Sequence, residues 1–262
     1  MTKEAYMKLI EEISLNAWPS HKIELYDGWL IRFSHNYTYR TNSVEQVGNS
    51  LLPVEEKIAY CEKVYADFHT PTNFKINPLL APSFDALLER RGYQVRHVTE
   101  VMTLSEEAFS SFDESPEDSP VQLENRISDN WISSLFRLNG TADATLRRIV
   151  PSMFHAIPKE TIAASITADG RMVASGLGIL DREHVGLYAI YVDASFRGRH
   201  FARSICRAIL SKAREKGAER AYLQVKAGNT AAKNLYISLG FEDFYTYWFR
   251  SLEQDEHRAF RP

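Results

Sequence analysis

The second half of the chain switches between two hydrophobic periods, and the switches mark its elements. Trp131, Leu135, Phe136 and Leu138, then Leu146, Ile149, Val150 and Phe154, recur at helical spacing, and Pro158 closes that region. Thr161–Thr167 and Met172–Leu180 read as strands, joined at Asp169-Gly170, a dipeptide suited to a tight hairpin turn. His184–Val192 is a further apolar, aromatic strand. A helix is predicted over Phe201–Lys216, with Phe201, Ile205, Ala208 and Ile209 on one face. Ala221–Lys226 then reads as a strand, Thr230–Leu239 as a helix stopped by Gly240, and Tyr245–Arg250 as a closing strand.

The first half carries a fainter version of the same ending. A helix over Pro53–Phe68 precedes a short strand, Phe74-Lys75-Ile76; a second helix over Ser83–Arg91 is expected to start from a Ser cap and stop at Gly92-Tyr93. His97–Leu104 completes the series as a strand. A shift of 148 residues lays Leu87, Gly92 and Tyr93 over Leu235, Gly240 and Phe241, with Leu88 opposite Tyr236. The agreement in element order points to a degenerate repeat. Ser105–Pro120 is acidic, rich in Ser and Pro, and reads as a solvated linker. The expected division is therefore 1–104, linker 105–120, and 121–262.

Composition narrows the class. A chain of 262 residues, 44% hydrophobic and 25% charged, has material for two cores, and a net charge of -3 offers no general attraction for nucleic acid or anionic membranes. No apolar run approaches the roughly 20 residues that span a bilayer. Met1-Thr2-Lys3-Glu4-Ala5 has no signal-peptide pattern, so a cytoplasmic protein is expected. Cys61 and Cys206 sit in helical patterns without metal-ligand spacing, so buried thiols and no metal are expected.

The chemistry concentrates between Val192 and Phe241. Arg197-Gly198-Arg199-His200-Phe201-Ala202 turns a strand into a helix, and a helix start offers unpaired N–H groups and a positive dipole end to an anion. Asn229 is placed to cap the next helix, with Ala232 in its first turn and Tyr236 seven residues on, on the same face. Taken alone, the turn reads as an ordinary connection with two solvated arginines, and Tyr236 as an ordinary core residue. The two segments together, in this order, resemble the acyl-CoA-binding core of the GCN5-related N-acetyltransferases (GNAT).

The resemblance implies an α/β fold of two GNAT-like lobes, each a mixed, mostly antiparallel twisted sheet flanked by helices, the first lobe lacking the cofactor site. It implies acetyl-CoA as cosubstrate, with the pyrophosphate held by Arg197, Gly198, Arg199, His200, Phe201 and Ala202. Asn229 and Ala232 would meet the pantetheine arm. Backbone of Ile190, Tyr191 and Val192 would face the acetyl group, and Tyr236 would be the general acid for the departing thiolate. The acceptor would be a small-molecule or peptide amine. Family members usually carry glycine where His200 stands; a turn entering a helix is expected to need only right-handed backbone there. Glu183, His184 and Asp193 flank the strand, and none is singled out as the base.

Gly28-Trp29-Leu30-Ile31-Arg32-Phe33 and Tyr37-Thr38-Tyr39-Arg40-Thr41-Asn42-Ser43-Val44 look like the N-terminal segment of bacterial two-lobed GNAT proteins. Trp29, Ile31 and Phe33 alternate and are expected to face a core. Arg32, Tyr37, Arg40 and Asn42 either line an acceptor cleft or tie down a hairpin and its loops. Two other classes stay open at this level: a non-catalytic acyl-CoA-binding or protein-interaction module, and an α/β scaffold with no CoA site.

Overall fold

A computed structural model describes residues 1–112 and 120–253. In chain order the elements are α1 (Lys3–Ala17), β1 (Lys22–Tyr26), β2 (Trp29–Phe33), β3 (Val44–Gln46), α2 (Val54–Asp67), β4 (Thr72–Ile76), α3 (Pro82–Arg90), β5 (Gln94–Leu104) and α4 (Glu106–Ser110). They continue as β6 (Val121–Glu124), α5 (Asp129–Asn139), α6 (Ala144–His155), β7 (Glu160–Ala168), β8 (Arg171–Asp181), β9 (His184–Val192), α7 (Phe201–Glu215), β10 (Arg220–Lys226), α8 (Thr230–Ser238) and β11 (Glu242–Leu252).

The chain forms two compact units, with two of the three boundaries between them falling inside strands, β5 and β11. One unit joins Met1–Pro19 to Glu100–Tyr245; the other joins Ser20–Thr99 to the chain from Thr246 to its described end. The boundary expected after residue 104 coincides with the end of β5, whereas the units divide between Thr99 and Glu100 inside that strand; α1 belongs with the later elements, and the end of β11 with the earlier ones. Ser105 caps α4, accepting from Ala108 N at 3.2 Å, and Phe109 and Phe112 are buried in the same cluster as Leu104 and Leu210. Phe109 and Phe112 therefore anchor Ser105–Phe112 to the core, while its Ser and Glu residues are exposed; the expected linker's residues 113–119 lie outside the described residues. Two aromatics three residues apart outweigh the acidic composition around them.

In the smaller unit the strand order is β1-β2-β3-β4-β11, with β3 and β4 parallel and β1–β2, β2–β3 and β4–β11 antiparallel. Trp29, Ile31 and Phe33 of β2 are buried with Ile58, Cys61 and Tyr65 of α2 and with Phe74 and Leu88. Helix α3 begins at Pro82 after Ala81, which provides no side-chain cap, so Pro pre-set at the first turn replaces the expected Ser83 cap.

In the larger unit the order is β11-β5-β10-β9-β8-β7-β6. Asp169 (φ 51) and Gly170 (φ 71) turn β7 into β8 in the left-handed geometry their sequence requires. Helix α7 lies close against β8: a Cβ built on Gly176 would sit 2.3 Å from Ile205 Cγ2, and one on Gly178 2.5 Å from Ile209 Cγ2.

The repeat is visible at the level of single hydrogen bonds. Gly240 (φ 92) ends α8 with Gly240 N donating to Ile237 O and Phe241 N to Tyr236 O. Gly92 (φ 90) ends α3 with Gly92 N donating to Glu89 O and Tyr93 N to Leu88 O. Each donor and acceptor corresponds at the same 148-residue offset, and both helix ends bury the following aromatic ring, Phe241 and Tyr93.

Candidate functional site

The site is made by a strand pair that comes apart. β9 and β10 pair in parallel from His184↔Arg220 to Leu187↔Leu223, and the ladder ends there. At the same place β9 carries a bulge against β8: Ser175 faces Tyr191, Leu177 faces Tyr188, and Ala189 takes a left-handed φ of 49. Ser175 Oγ donates to Ala189 O at 3.0 Å, which pins the bulge. A bulge leaves a residue outside the ladder and re-aims the strand beyond it. The consequence is a cleft of about 1090 Å³ whose lining includes Ile190, Tyr191 and Val192 from β9, with Leu138 of α5 at its edge.

The turn after β9 closes one end of this cleft. Asp193 Oδ1 accepts from Ser195 N at 2.9 Å and its Oδ2 from Arg171 Nη1 at 2.7 Å. The Ser195 N–H, with Arg171 next to it, holds the Asp193 carboxyl below its usual range. Gly198 (φ 76) and His200 (φ 59, ψ 12) are both left-handed. The expectation of right-handed backbone at His200 is overturned: the chain keeps the conformation that glycine adopts without steric cost and places a Cβ in it. The first backbone bond of α7 is Ser204 N to His200 O, and no side chain caps the helix. The N–H groups of Phe201, Ala202 and Arg203 are therefore available at a positive helix end.

Arg197, Gly198, His200, Phe201 and Ala202 all line the cleft, as do Asn229, Ala232 and Tyr236. Arg199 is not among the lining residues; its guanidinium lies 4.8 Å from the centre of the Phe196 ring. Asn229 Oδ1 accepts from Ala232 N at 3.3 Å, so its side chain caps α8. Tyr236 is buried at 8% exposure, and its hydroxyl has no hydrogen-bond partner among the described residues. Burial pushes its phenol pKa up, with Cys206 and Tyr191 adding to the effect.

Arg203, Asn234 and Ser238 also line the cleft and escaped the sequence reading. Arg203 Nη1 donates to Ser238 O at 3.2 Å and to Ser238 Oγ at 2.7 Å, tying α7 to α8. Its signal was available: Arg203 stands in the first turn of α7, directly after the Arg197–Ala202 segment.

The flanking titratable groups of β9 lie elsewhere. His184 is at the far end of the strand, 2% exposed against Tyr6 at 5.6 Å, and burial lowers its pKa to about 4. Glu183 offers its carbonyl to Glu219 N and Arg220 N. Among the described residues, no carboxylate lines the cleft. In the smaller unit, Arg32 is 2% exposed and donates to Arg40 O at 2.7 Å and Glu45 Oε1 at 3.2 Å. Asn42 accepts from Ser34 N at 2.6 Å and Asn36 N at 3.1 Å and donates to Thr38 O at 2.7 Å. These groups tie down their own loop, the second of the two readings given for them; Tyr37 and Arg40 are half-buried in the same loop.

A mixed, largely antiparallel sheet with a splayed parallel pair, opening onto an uncapped helix start, defines a GNAT-type acetyltransferase. The family model described as "Probable histone acetyltransferase Rv0428c C-terminal" matches residues 5–249, and the chain belongs to that family. An uncharacterized N-acetyltransferase of Bacillus subtilis, YobR, is 25% identical over 254 residues, covering 93% of this chain and 98% of the relative. A ribosomal protein bS18-alanine N-acetyltransferase of Escherichia coli K12 is 27% identical over 125 residues, 44% of this chain and 82% of the relative. Among solved structures, a GCN5-related N-acetyltransferase from Kribbella flavida superimposes with a TM-score of 0.67 at 15% identity, covering 100% of this chain and 99% of that one. A tandem GNAT protein from the clavulanic acid biosynthesis pathway gives 0.63 at 13% identity over 80% and 74% of the two chains. The two-lobed GNAT fold and the acetyltransferase class both stand on these findings.

Proposed function

We propose that this protein transfers an acetyl group from acetyl-CoA directly to an amine, without a covalent enzyme intermediate. The observation that carries the reading is the meeting, in one cleft, of the β9 bulge, the uncapped start of α7 and the Tyr236 hydroxyl. The residues fit such a cosubstrate: free helix N–H groups with Arg197 and Arg203 suit a diphosphate, while Ile190, Ala232 and Leu235 give apolar walls for an arm. When bound, acetyl-CoA supplies a thioester whose carbonyl carbon is the electrophile.

The residues of the chain then have distinct tasks. Backbone N–H groups near Ile190 and Val192 face the position where charge develops on the carbonyl oxygen. Tyr236 holds its proton on Oη throughout the neutral range, because burial disfavours the phenolate. It would give that proton to sulfur as the carbon–sulfur bond breaks and the carbon–nitrogen bond forms; the proton lost by the amine would go to water, and water would return one to the Tyr236 oxygen. The relatives that carry an N-acetyltransferase name support an amine acceptor, small or peptidic.

Thiol release from acetyl-CoA across a panel of amines and peptides tests the proposal. Tyr236→Phe is expected to lower kcat by about 10²-fold or more while leaving the Kd for CoA within about threefold. Equal turnover by the variant would remove Tyr236 from the reaction.

A further inference from the structure

We infer that the acceptor enters as an uncharged, weakly basic amine, with one N–H held by the Tyr188–Tyr222 hydroxyl pair. The inference rests on the acetyl-transfer reading given above. Leu187 and Leu223, the last paired residues of β9 and β10, pack in the cluster that contains Ile205 and Ile209 of α7. Their strand neighbours Tyr188 and Tyr222 therefore point to the opposite face, at the place where the two strands part. There the hydroxyls meet at 2.7 Å, and a Cβ on Gly186 would stand 2.7 Å from Tyr222 Oη, so the glycine leaves the room that the pair occupies. Ring contacts run from Tyr188 to Trp18, stacked at 5.6 Å, then to Phe154 at 5.3 Å and to Trp131 of α5 at 6.3 Å. Leu138 of the same helix lines the cleft, so the cleft and this aromatic face adjoin.

The chemistry of this face selects the form of the amine. A phenol hydroxyl accepts an N–H hydrogen bond and aims the nitrogen lone pair, but it is not a base at neutral pH. The carboxylates and the histidine of the same face lie away from the gap. Glu11 of α1 accepts from Tyr245 Oη at 2.5 Å, and Tyr245 is on β11, three strands from β9, roughly 14 Å at about 4.8 Å a strand. Asp181 and His184 face each other at the start of β9, about 13 Å along the strand from Tyr188. Asp193, past the other end, is bound to Ser195 N and Arg171. The ammonium proton therefore goes to water before the amine binds, and the second leaves to water as the carbon–nitrogen bond forms. At pH 7 an α-amino group of pKa about 7.7–8.0 is roughly 10% free base, and a lysine side chain of pKa about 10.4 less than about 0.1%. The greater nucleophilicity of the stronger base recovers only part of that ratio. The site thus favours α-amino groups and other weak bases over ε-amino groups and polyamines.

Thiol release from acetyl-CoA between about pH 6 and 10.5 tests this, across primary amines of graded basicity that include a lysine-free peptide with a free α-amine and an Nα-blocked lysine peptide. The logarithm of kcat/KM is expected to climb with unit slope to the pKa of each amine, weak bases leading by about tenfold or more at pH 7 and losing that lead above about pH 10. Tyr188→Phe and Tyr222→Phe are each expected to lower kcat/KM about tenfold while the Kd for acetyl-CoA stays within about twofold. Glu11→Gln is expected to keep the wild-type profile. One apparent pKa shared by all amines, ε-amines leading at pH 7, or full rates in both tyrosine variants would overturn the inference and leave acetyl transfer standing. A profile abolished by Glu11→Gln would make that carboxylate the base and overturn it likewise. No thiol release from any amine, with acetyl-CoA still bound, would overturn acetyl transfer and this inference with it.

Discussion

His200 and His184 show how differently one residue type can be legible. The departure from glycine at His200 is readable from the sequence once the resemblance is seen, but its backbone conformation is not, because histidine, although enriched at positive φ, also adopts right-handed geometry readily. Relief of that strain, offset by the larger entropy of glycine in the unfolded chain, predicts that His200→Gly raises unfolding free energy by about 0.5–1 kcal/mol, measurable in urea. At His184, burial lowers the pKa to about 4 while the unfolded chain titrates near 6.5. The folded form binds fewer protons in that window, so stability present above pH 6.5 is lost as pH falls toward 4. His184→Phe, which keeps a ring against Tyr6, should flatten the stability profile between pH 4 and 6.5. A profile as steep as the wild type's would place that acid sensitivity elsewhere.

At the scale of elements, periodicity located the helices and strands from 131 onward, and turn chemistry located Asp169-Gly170 and Gly240. The feature that makes the cleft was not legible. The bulge at Ala189 lies three residues beyond Gly186, the strand's only glycine, so the sequence does not place it, and the end of the β9–β10 ladder depends on pairing partners distant in sequence. The close seat of α7 on β8 was equally hidden, since Gly176 and Gly178 in a strand signal close approach only when the neighbour is known. Gly178→Ala would put a methyl against Ile209 and is expected to cost about 1–3 kcal/mol in stability, seen as a lower urea midpoint with unchanged slope. An unchanged midpoint would mean that α7 shifts away without loss.

Over the whole molecule, the two-lobed architecture and the repeat were readable because a helix end with its glycine and following aromatic keeps its hydrogen bonds at a fixed offset. The boundaries were not, because units that exchange terminal segments leave no mark in local composition. Strand β11 supplies Trp248–Leu252 to β4, and its Arg250 pairs with Asp85 through two contacts of 2.8 Å, which Trp248 Nε1 joins at 2.9 Å. A fragment of residues 1–104 lacks this strand and is expected to give an unfolded circular dichroism spectrum, whereas residues 1–253 fold. Among the described residues no helix is long and apolar enough to cross a membrane, and no cluster of three metal-ligating side chains occurs.

The most direct test of the central claim is thermal unfolding with and without acetyl-CoA at about 100 times a micromolar Kd. Binding confined to the folded state adds about 2.7 kcal/mol, and the transition of the larger unit should rise by roughly 5–10 °C. A transition unmoved by acetyl-CoA would contradict the assignment of the β9–α7–α8 cleft as its binding site.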